Sequence, residues 1–159
     1  MDIGHVHLRT DDLDRAVRFY RDVLGLDLVL RLPKLAFLSA DGYHHHIALD
    51  AREATAVERQ GSERGGLHHF ALRHHTRDAL CRTLRRVQEA GVPIERSADF
   101  TVLEAVFISD PDGNGIELSW DRPRAKWPED WASANGLGRY RPLDVKALLG
   151  AHQRHAERR

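Results

Sequence analysis

A single cysteine, Cys81, stands in the whole chain, so no intramolecular disulfide can form and nothing argues for an oxidising compartment. Cys81 falls within a helical pattern and reads as buried filler. Net charge is also missing. The 24 Lys plus Arg residues balance 24 Asp plus Glu, which leaves no field to attract nucleic acid or an anionic membrane. No apolar run approaches the roughly 20 residues of a membrane span. The amino-terminal residues enter a strand pattern directly, without a basic and apolar leader. These absences lead to the expectation of a soluble, cytoplasmic protein that engages neither nucleic acid nor membrane. At 159 residues the chain suits one domain or two small half-domains and is long enough to bury a core. Histidine is what it has in excess, with 11 residues, several of them clustered.

The segment Asp110-Pro111-Asp112-Gly113-Asn114-Gly115 is dense in residues that tolerate tight turns and left-handed backbone. Ile116 to Trp120 then alternates as a strand. Ile116 and Leu118 share one face, so Glu117 points to the other, a carboxylate among apolar neighbours in an interior sheet. Burying that charge alone is costly. Glu117 therefore requires a cation, either an arginine or a metal.

Earlier in the chain, Ile3 to Arg9 alternates as a strand, with His5 and His7 on one face. Thr10-Asp11-Asp12 offers capping oxygens to a helix whose apolar stripe is Leu13, Ala16, Val17, Tyr20, Val23 and Leu24, ended by Gly25. Strands follow at Leu26 to Arg31, Leu35 to Ser39 and Tyr43 to Asp50, with Asp41-Gly42 as a hairpin turn. A polar stretch, 51–66, reads as a linker. The pattern then restarts. A strand at Leu67 to Arg73 leads to a helix capped by Thr76 and carrying Ala79, Leu80, Leu84, Val87 and Ala90. Further strands fall at Ile94 to Arg96, Val102 to Ser109 and Gly115 to Trp120.

Letters repeat along with elements. His5-Val6-His7-Leu8-Arg9 and His69-Phe70-Ala71-Leu72-Arg73 both read His-x-x-Leu-Arg. Ile47-Ala48-Leu49 answers Ile116-Glu117-Leu118. A duplicated unit folded about a pseudo-two-fold axis would bring equivalent positions together, pairing His5 with His69 and Ala48 with Glu117. Two imidazoles and one carboxylate from separate strands suit a divalent transition metal, and Ala48 leaves a coordination position open. His5, His69 and Glu117 are thus the candidate metal ligands.

The remaining histidines divide. His44-His45-His46 is expected on the strand of Ala48, where strict alternation turns His44 and His46 to the pocket and a bulge would instead bring His45 round. A pocket-facing member of this triplet could move protons. His68 is a weaker ligand candidate, His7 a cavity-lining one, and His74 and His75 are expected to be exposed.

These residues carry a resemblance. His5-Val6-His7-Leu8-Arg9-Thr10-Asp11-Asp12-Leu13 followed by Arg18-Phe19-Tyr20-Arg21-Asp22-Val23-Leu24-Gly25-Leu26 resembles the opening of the vicinal oxygen chelate superfamily, which includes glyoxalase I and type I extradiol dioxygenases. The likeness is strongest to catechol 2,3-dioxygenase-like proteins. Gly42 to Leu49, Gly66 to Ala71, Asp110 to Glu117, Trp120 to Arg124 and Arg141 to Asp144 support it. The resemblance implies an α+β fold in which two tandem βαβββ modules form a half-barrel around a metal site. The domain would span 1–120, with module one at 1–50, the linker at 51–66 and module two at 67–120, followed by a C-terminal extension, 121–159. In that extension no strand is expected, Trp127, Pro128 and Trp131 would strap the tail down, and Leu143 to Leu149 would form a short helix.

The resemblance further implies ligands His5, His69 and Glu117, holding Fe(II) or less often Mn(II), with a catecholic substrate and dioxygen as partners. The same donors also accept Zn(II) or Ni(II). The catalytic acid-base position corresponds to His45, with His46 as its alternative. Ring-cleaving members usually carry a His at the position of Phe100 and a Tyr at that of Phe107, and Phe can hydrogen-bond neither substrate nor oxygen. The expected function is a metal-dependent extradiol ring-cleaving dioxygenase, expected as a homodimer. The alternatives are a glyoxalase-like lyase, isomerase or thiol transferase, or a small-molecule binding protein of the bleomycin-resistance kind.

Overall fold

The computed structural model of the chain describes residues 3–51, 67–131 and 140–156. The linker expected at 51–66 lies, apart from Ala51, outside the described residues. The chain divides into two units. One comprises residues 1–68 together with 110–114, and the other comprises 69–109 and 115–159.

The first unit runs β1 (Val6–Thr10), α1 (Leu13–Arg18), β2 (Asp27–Arg31), β3 (Leu35–Ser39) and β4 (Ile47–Ala51). Its four-stranded sheet has the order β1-β4-β3-β2, with β1 parallel to β4 and the other pairs antiparallel. Asp12 caps α1 by accepting from the Arg15 backbone N–H at 2.9 Å. The apolar stripe expected as one helix is a short α-helix continued by a π-helical turn, Phe19–Val23. The wider turn lets consecutive aromatic residues, Phe19 and Tyr20, both face inward, and they pack edge to face at 5.4 Å. The expected stripe had no place for Phe19.

The second unit repeats the plan with β5 (Phe70–His74), α2 (Arg77–Glu89), β6 (Arg96–Asp99), β7 (Leu103–Ser109) and β8 (Gly115–Asp121). Thr76 caps α2, accepting from Ala79 N–H at 3.1 Å. Leu80, Cys81, Leu84 and Val87 form the buried face of α2. The five-stranded sheet has the order β5-β8-β7-β6-β9, where β9 (Arg141–Pro142) is a two-residue strand paired antiparallel with β6. The fold is therefore α+β with βαβββ twice over. Several boundaries differ from expectation; strands β1 and β5, for example, start three residues later than their alternation suggests. The tail does contain a strand, too short for any alternation to reveal. Its helix α3 (Val145–Ala156) starts later and runs further than Leu143 to Leu149. Strand β6 begins at Arg96 instead of ending there, because its register is set by pairing with β7.

The duplication extends to register. In the first unit Ala48 lies opposite His7 on one side and Phe37 on the other. In the second, Glu117 lies opposite Ala71 and Phe107. His5 and His69 each immediately precede the first strand of their unit.

Two features tie down the loops. Tyr20, fully buried, donates to Asp110 Oδ2 at 2.7 Å, and Asp110 also accepts from the Asp112 and Asn114 backbone N–H groups. Asp112 in turn accepts from Thr10 Oγ1 at 2.6 Å and pairs with Arg15. In the second unit Asp99 and Glu104 are both buried and share Arg122, while Arg77 completes Glu104 and Arg141 completes Asp99. The tail packs by cation and ring: the Arg124 guanidinium lies 4.8 Å from the ring centres of both Trp127 and Trp131.

Candidate metal centre

Glu117 has the surroundings its neighbours dictate. Ile116 and Leu118 are fully buried on one face of β8, and Glu117 projects from the other with its side chain 14% exposed. Among the described residues its carboxylate pairs with no arginine. Glu117 Oε2 lies 3.2 Å from Nε2 of His69, which is 32% exposed. The ring of Phe107, opposite Glu117 in the sheet, meets His69 edge to face at 5.5 Å. An imidazole nitrogen and a carboxylate oxygen thus converge in a half-buried, apolar-walled setting, a donor pair that suits a divalent first-row cation. Each unit taken by itself, among the described residues, gathers no group of three or more metal-binding side chains.

In the first unit the histidines cluster around Phe37. The His45 ring stacks on Phe37 at 4.2 Å with an interplanar angle of 10°, and it lies 4.5 Å from the His5 ring. His7, exposed, is 6.5 Å from His5. The expectation that the triplet sits on the strand of Ala48 is corrected, because β4 begins at Ile47 and residues 43–46 lie in the loop before it. Alternation from Ala48 therefore has no hold on them. His46 turns into the loop, where its Nδ1 accepts from Ala40 N–H at 3.2 Å, and Tyr43 covers it at 5.3 Å. His44 contacts His45 through their Nδ1 atoms at 2.7 Å. Desolvation first, and then the neighbouring His5, hold His45 below the ordinary imidazole pKa.

His68 is exposed, as is His75. His74, expected at the surface, is not there. Its Nε2 lies 3.0 Å from Thr83 Oγ1 and its Nδ1 3.2 Å from the Ser119 carbonyl, so it joins β5 to β8 and α2. Burial holds it below the ordinary imidazole value. Its burial follows from being the last residue of a strand onto which a helix folds back, a tertiary circumstance that the polar neighbours His75 and Thr76 concealed. Sequence reasoning also passed over Arg96. Its guanidinium carbon lies 4.3 Å from the centre of the Phe107 ring and 5.9 Å from that of Phe100.

A βαβββ plan used twice in one chain, with Glu117 on a sheet face beside His69, defines a recognisable class of small α+β protein. The chain belongs to the glyoxalase/bleomycin resistance protein/dioxygenase superfamily, whose family model matches residues 2–118. It is 35% identical over 147 residues to a catechol-2,3-dioxygenase of Bacillus subtilis (strain 168), an alignment covering 92% of this chain and 50% of that protein. The chain thus spans about half the length of that relative. It is 32% identical over 131 residues to a lactoylglutathione lyase of Haemophilus influenzae (strain ATCC 51907 / DSM 11121 / KW20 / Rd), covering 74% of this chain and 91% of that protein. The crystal structure of a lactoylglutathione lyase from Agrobacterium tumefaciens superposes with a TM-score of 0.57 at 28% identity, over 75% of this chain and 92% of the other. No described helix is long and apolar enough to cross a membrane.

Proposed function

We propose that the protein is a metal-dependent extradiol-type dioxygenase that opens a catecholic ring. The observation that carries this reading is the convergence of His69 Nε2, just before β5, and Glu117 Oε2, on the neighbouring strand β8, at 3.2 Å in the second unit. His5 is the third proposed ligand, on the strength of its equivalence to His69 at the start of the first unit. When bound, Fe(II), or Mn(II) in its place, would supply coordination positions for the two catechol oxygens and for dioxygen.

The chain's own residues have separate tasks in this proposal. His69 and Glu117 hold the cation with a neutral nitrogen and a charged oxygen. His45, held flat against Phe37, takes a proton from a substrate hydroxyl and returns it to the product. His46 fixes the loop that presents His45, through its bond from Ala40 N–H. Phe107 and Phe100 exclude water and supply apolar contact to a ring, but they donate no hydrogen bond. Both atoms of dioxygen enter the product, so the balance needs no other oxidant. A homodimer is proposed as the assembly and the cytoplasm as the compartment.

The test is oxygen uptake by reduced, iron-loaded protein with catechol and substituted catechols, followed with the appearance of a yellow ring-fission product. Uptake that depends on His69 and Glu117 supports the reading. A fully loaded sample that gives neither signal overturns it. One observation favours a second reading, a glyoxalase-like lyase: the alignment covers 91% of the Haemophilus lyase and only 50% of the Bacillus dioxygenase. Turnover of the adduct of glutathione and methylglyoxal by nickel- or zinc-loaded protein, without oxygen uptake, would identify it.

A further inference from the structure

The face of the second sheet that carries Glu117 continues across two more strands. Glu117 lies opposite Phe107, and Phe107 lies opposite Arg96, so the three side chains stand in one row on the same side. With strands about 4.8 Å apart, the backbones of Glu117 and Arg96 are separated by roughly 10 Å. The guanidinium of Arg96 rests on the Phe107 ring at 4.3 Å, and His69 meets the same ring edge to face. Phe100 and Tyr140, ring centres 5.8 Å apart, extend the aromatic wall beside it.

Other arginines on this sheet are committed. Arg73 holds Asp121, Arg122 holds Asp99 and Glu104, and Arg141 holds Asp99. Arg96 has no acidic partner among the described residues, and its side chain is exposed. Stacking on a ring leaves the N–H edges of a guanidinium available, and those edges match a carboxylate in bidentate fashion. We propose that Arg96 is a specificity-determining residue that selects ring substrates bearing a carboxylate, with the ring along the row between Glu117 and Arg96 and the anion on the outer N–H edge of Arg96. The ring-binding half of this statement rests on the catecholic reading above. The anion-binding half rests on the row Glu117, Phe107, Arg96 alone. A dihydroxyphenyl group with a short carboxylate arm spans that row.

The experiment compares 3-(3,4-dihydroxyphenyl)propanoate with its methyl ester, titrated calorimetrically into full-length, Fe(II)-loaded protein without oxygen. A charge-assisted hydrogen bond at a partly exposed site favours the acid by about tenfold. The preference should shrink in high salt. In Arg96→Gln the acid weakens to the level of the ester while ester affinity is unchanged, and Arg96→Lys keeps part of the preference. Equal binding of acid and ester by the wild type, a preference that survives Arg96→Gln, or no binding of either compound would each overturn the proposal. Oxygen uptake reports separately on ring cleavage. An intact acid preference without uptake sinks the dioxygenase reading and leaves Arg96 standing, whereas uptake without the preference does the reverse. Should Arg96→Gln fold poorly, the salt response of the wild type and the Arg96→Lys variant still decide.

Discussion

Replacing Asp99 by Asn probes the ionic cluster that holds the turn between β6 and β7, and with it the placement of Phe100. Asp99 is 6% exposed, and its carboxylate accepts from Thr101 N–H at 2.9 Å, from both terminal nitrogens of Arg122 at 2.7 and 3.0 Å, and from Arg141 Nε at 3.0 Å. An Asn keeps one acceptor oxygen but turns an NH2 donor toward a guanidinium. Breaking a buried ion pair from one side costs about 3–5 kcal/mol. Here Arg122 retains Glu104 at 3.1 Å, and Arg141, 80% exposed, finds water. The expected loss is therefore nearer ~3 kcal/mol, and at about 2–4 °C per kcal/mol for a chain of this size the melting temperature should fall by roughly 6–12 °C. The pH dependence follows from the carboxyl's own shift. Burial pushes its pKa up, but the Thr101 N–H, Arg122 and Arg141 outweigh burial and hold it below the ordinary value. Its stabilisation is thus complete above the unfolded value of about 3.9 and is lost as pH falls through the lower folded one. Urea titrations followed by circular dichroism should show the full difference between wild type and Asp99→Asn at pH 7 and a shrinking one between pH 4 and pH 2. A loss under about 1 kcal/mol at pH 7, or one that does not change with acidification, would refute this account of the cluster.

Further outcomes are expected at Tyr20, at Thr101 and in metal content. Tyr20→Phe removes a donor from buried Asp110 and should cost about 1–3 kcal/mol in urea unfolding at pH 8. Burial, and then the Asp110 charge, raise the Tyr20 pKa, so the wild type's advantage is present below the unfolded tyrosine value of about 10 and is lost above it, and Tyr20→Phe should show a shallower decline between pH 10 and pH 11. Thr101 adopts a φ of 74°, which a β-branched side chain resists; Thr101→Asn, which tolerates that conformation, should stabilise by about 0.5–1 kcal/mol, and a rise in neither the urea midpoint nor the melting temperature would count against strain there. Elemental analysis of anaerobically purified protein should find a divalent metal that is lost in His69→Ala and kept in His75→Ala. Chelation of the wild type should lower its melting temperature, by the equivalent of about 4 kcal/mol if metal had been present at a thousand times its Kd.

Local chemistry wrote much of the fold into the chain. Asp12 and Thr76 cap helices where their oxygens stand before apolar stripes, and the alternation of Ile116, Glu117 and Leu118 does place one carboxylate opposite two buried aliphatics. The duplicated letters anticipated a duplicated register, with Ala48 opposite Phe37 as Glu117 is opposite Phe107. Such features depend on neighbours within a few residues, so they are legible without the rest of the molecule.

Tertiary structure decided what depends on partners far along the chain. Where β4 begins is fixed by its pairing with β1 and β3, so the triplet falls outside the strand and sends His45 toward Phe37 and His46 into the loop. His74 is held at 3.0 Å by a residue nine positions on and at 3.2 Å by another strand, which no local polarity could announce. Arg96 meets Phe107 only because two strands of opposite direction set them in register. Composition and periodicity fix which side of an element is apolar, while the identity of the group facing a given side chain is set by strand pairing and by the way the helices fold back onto the sheets.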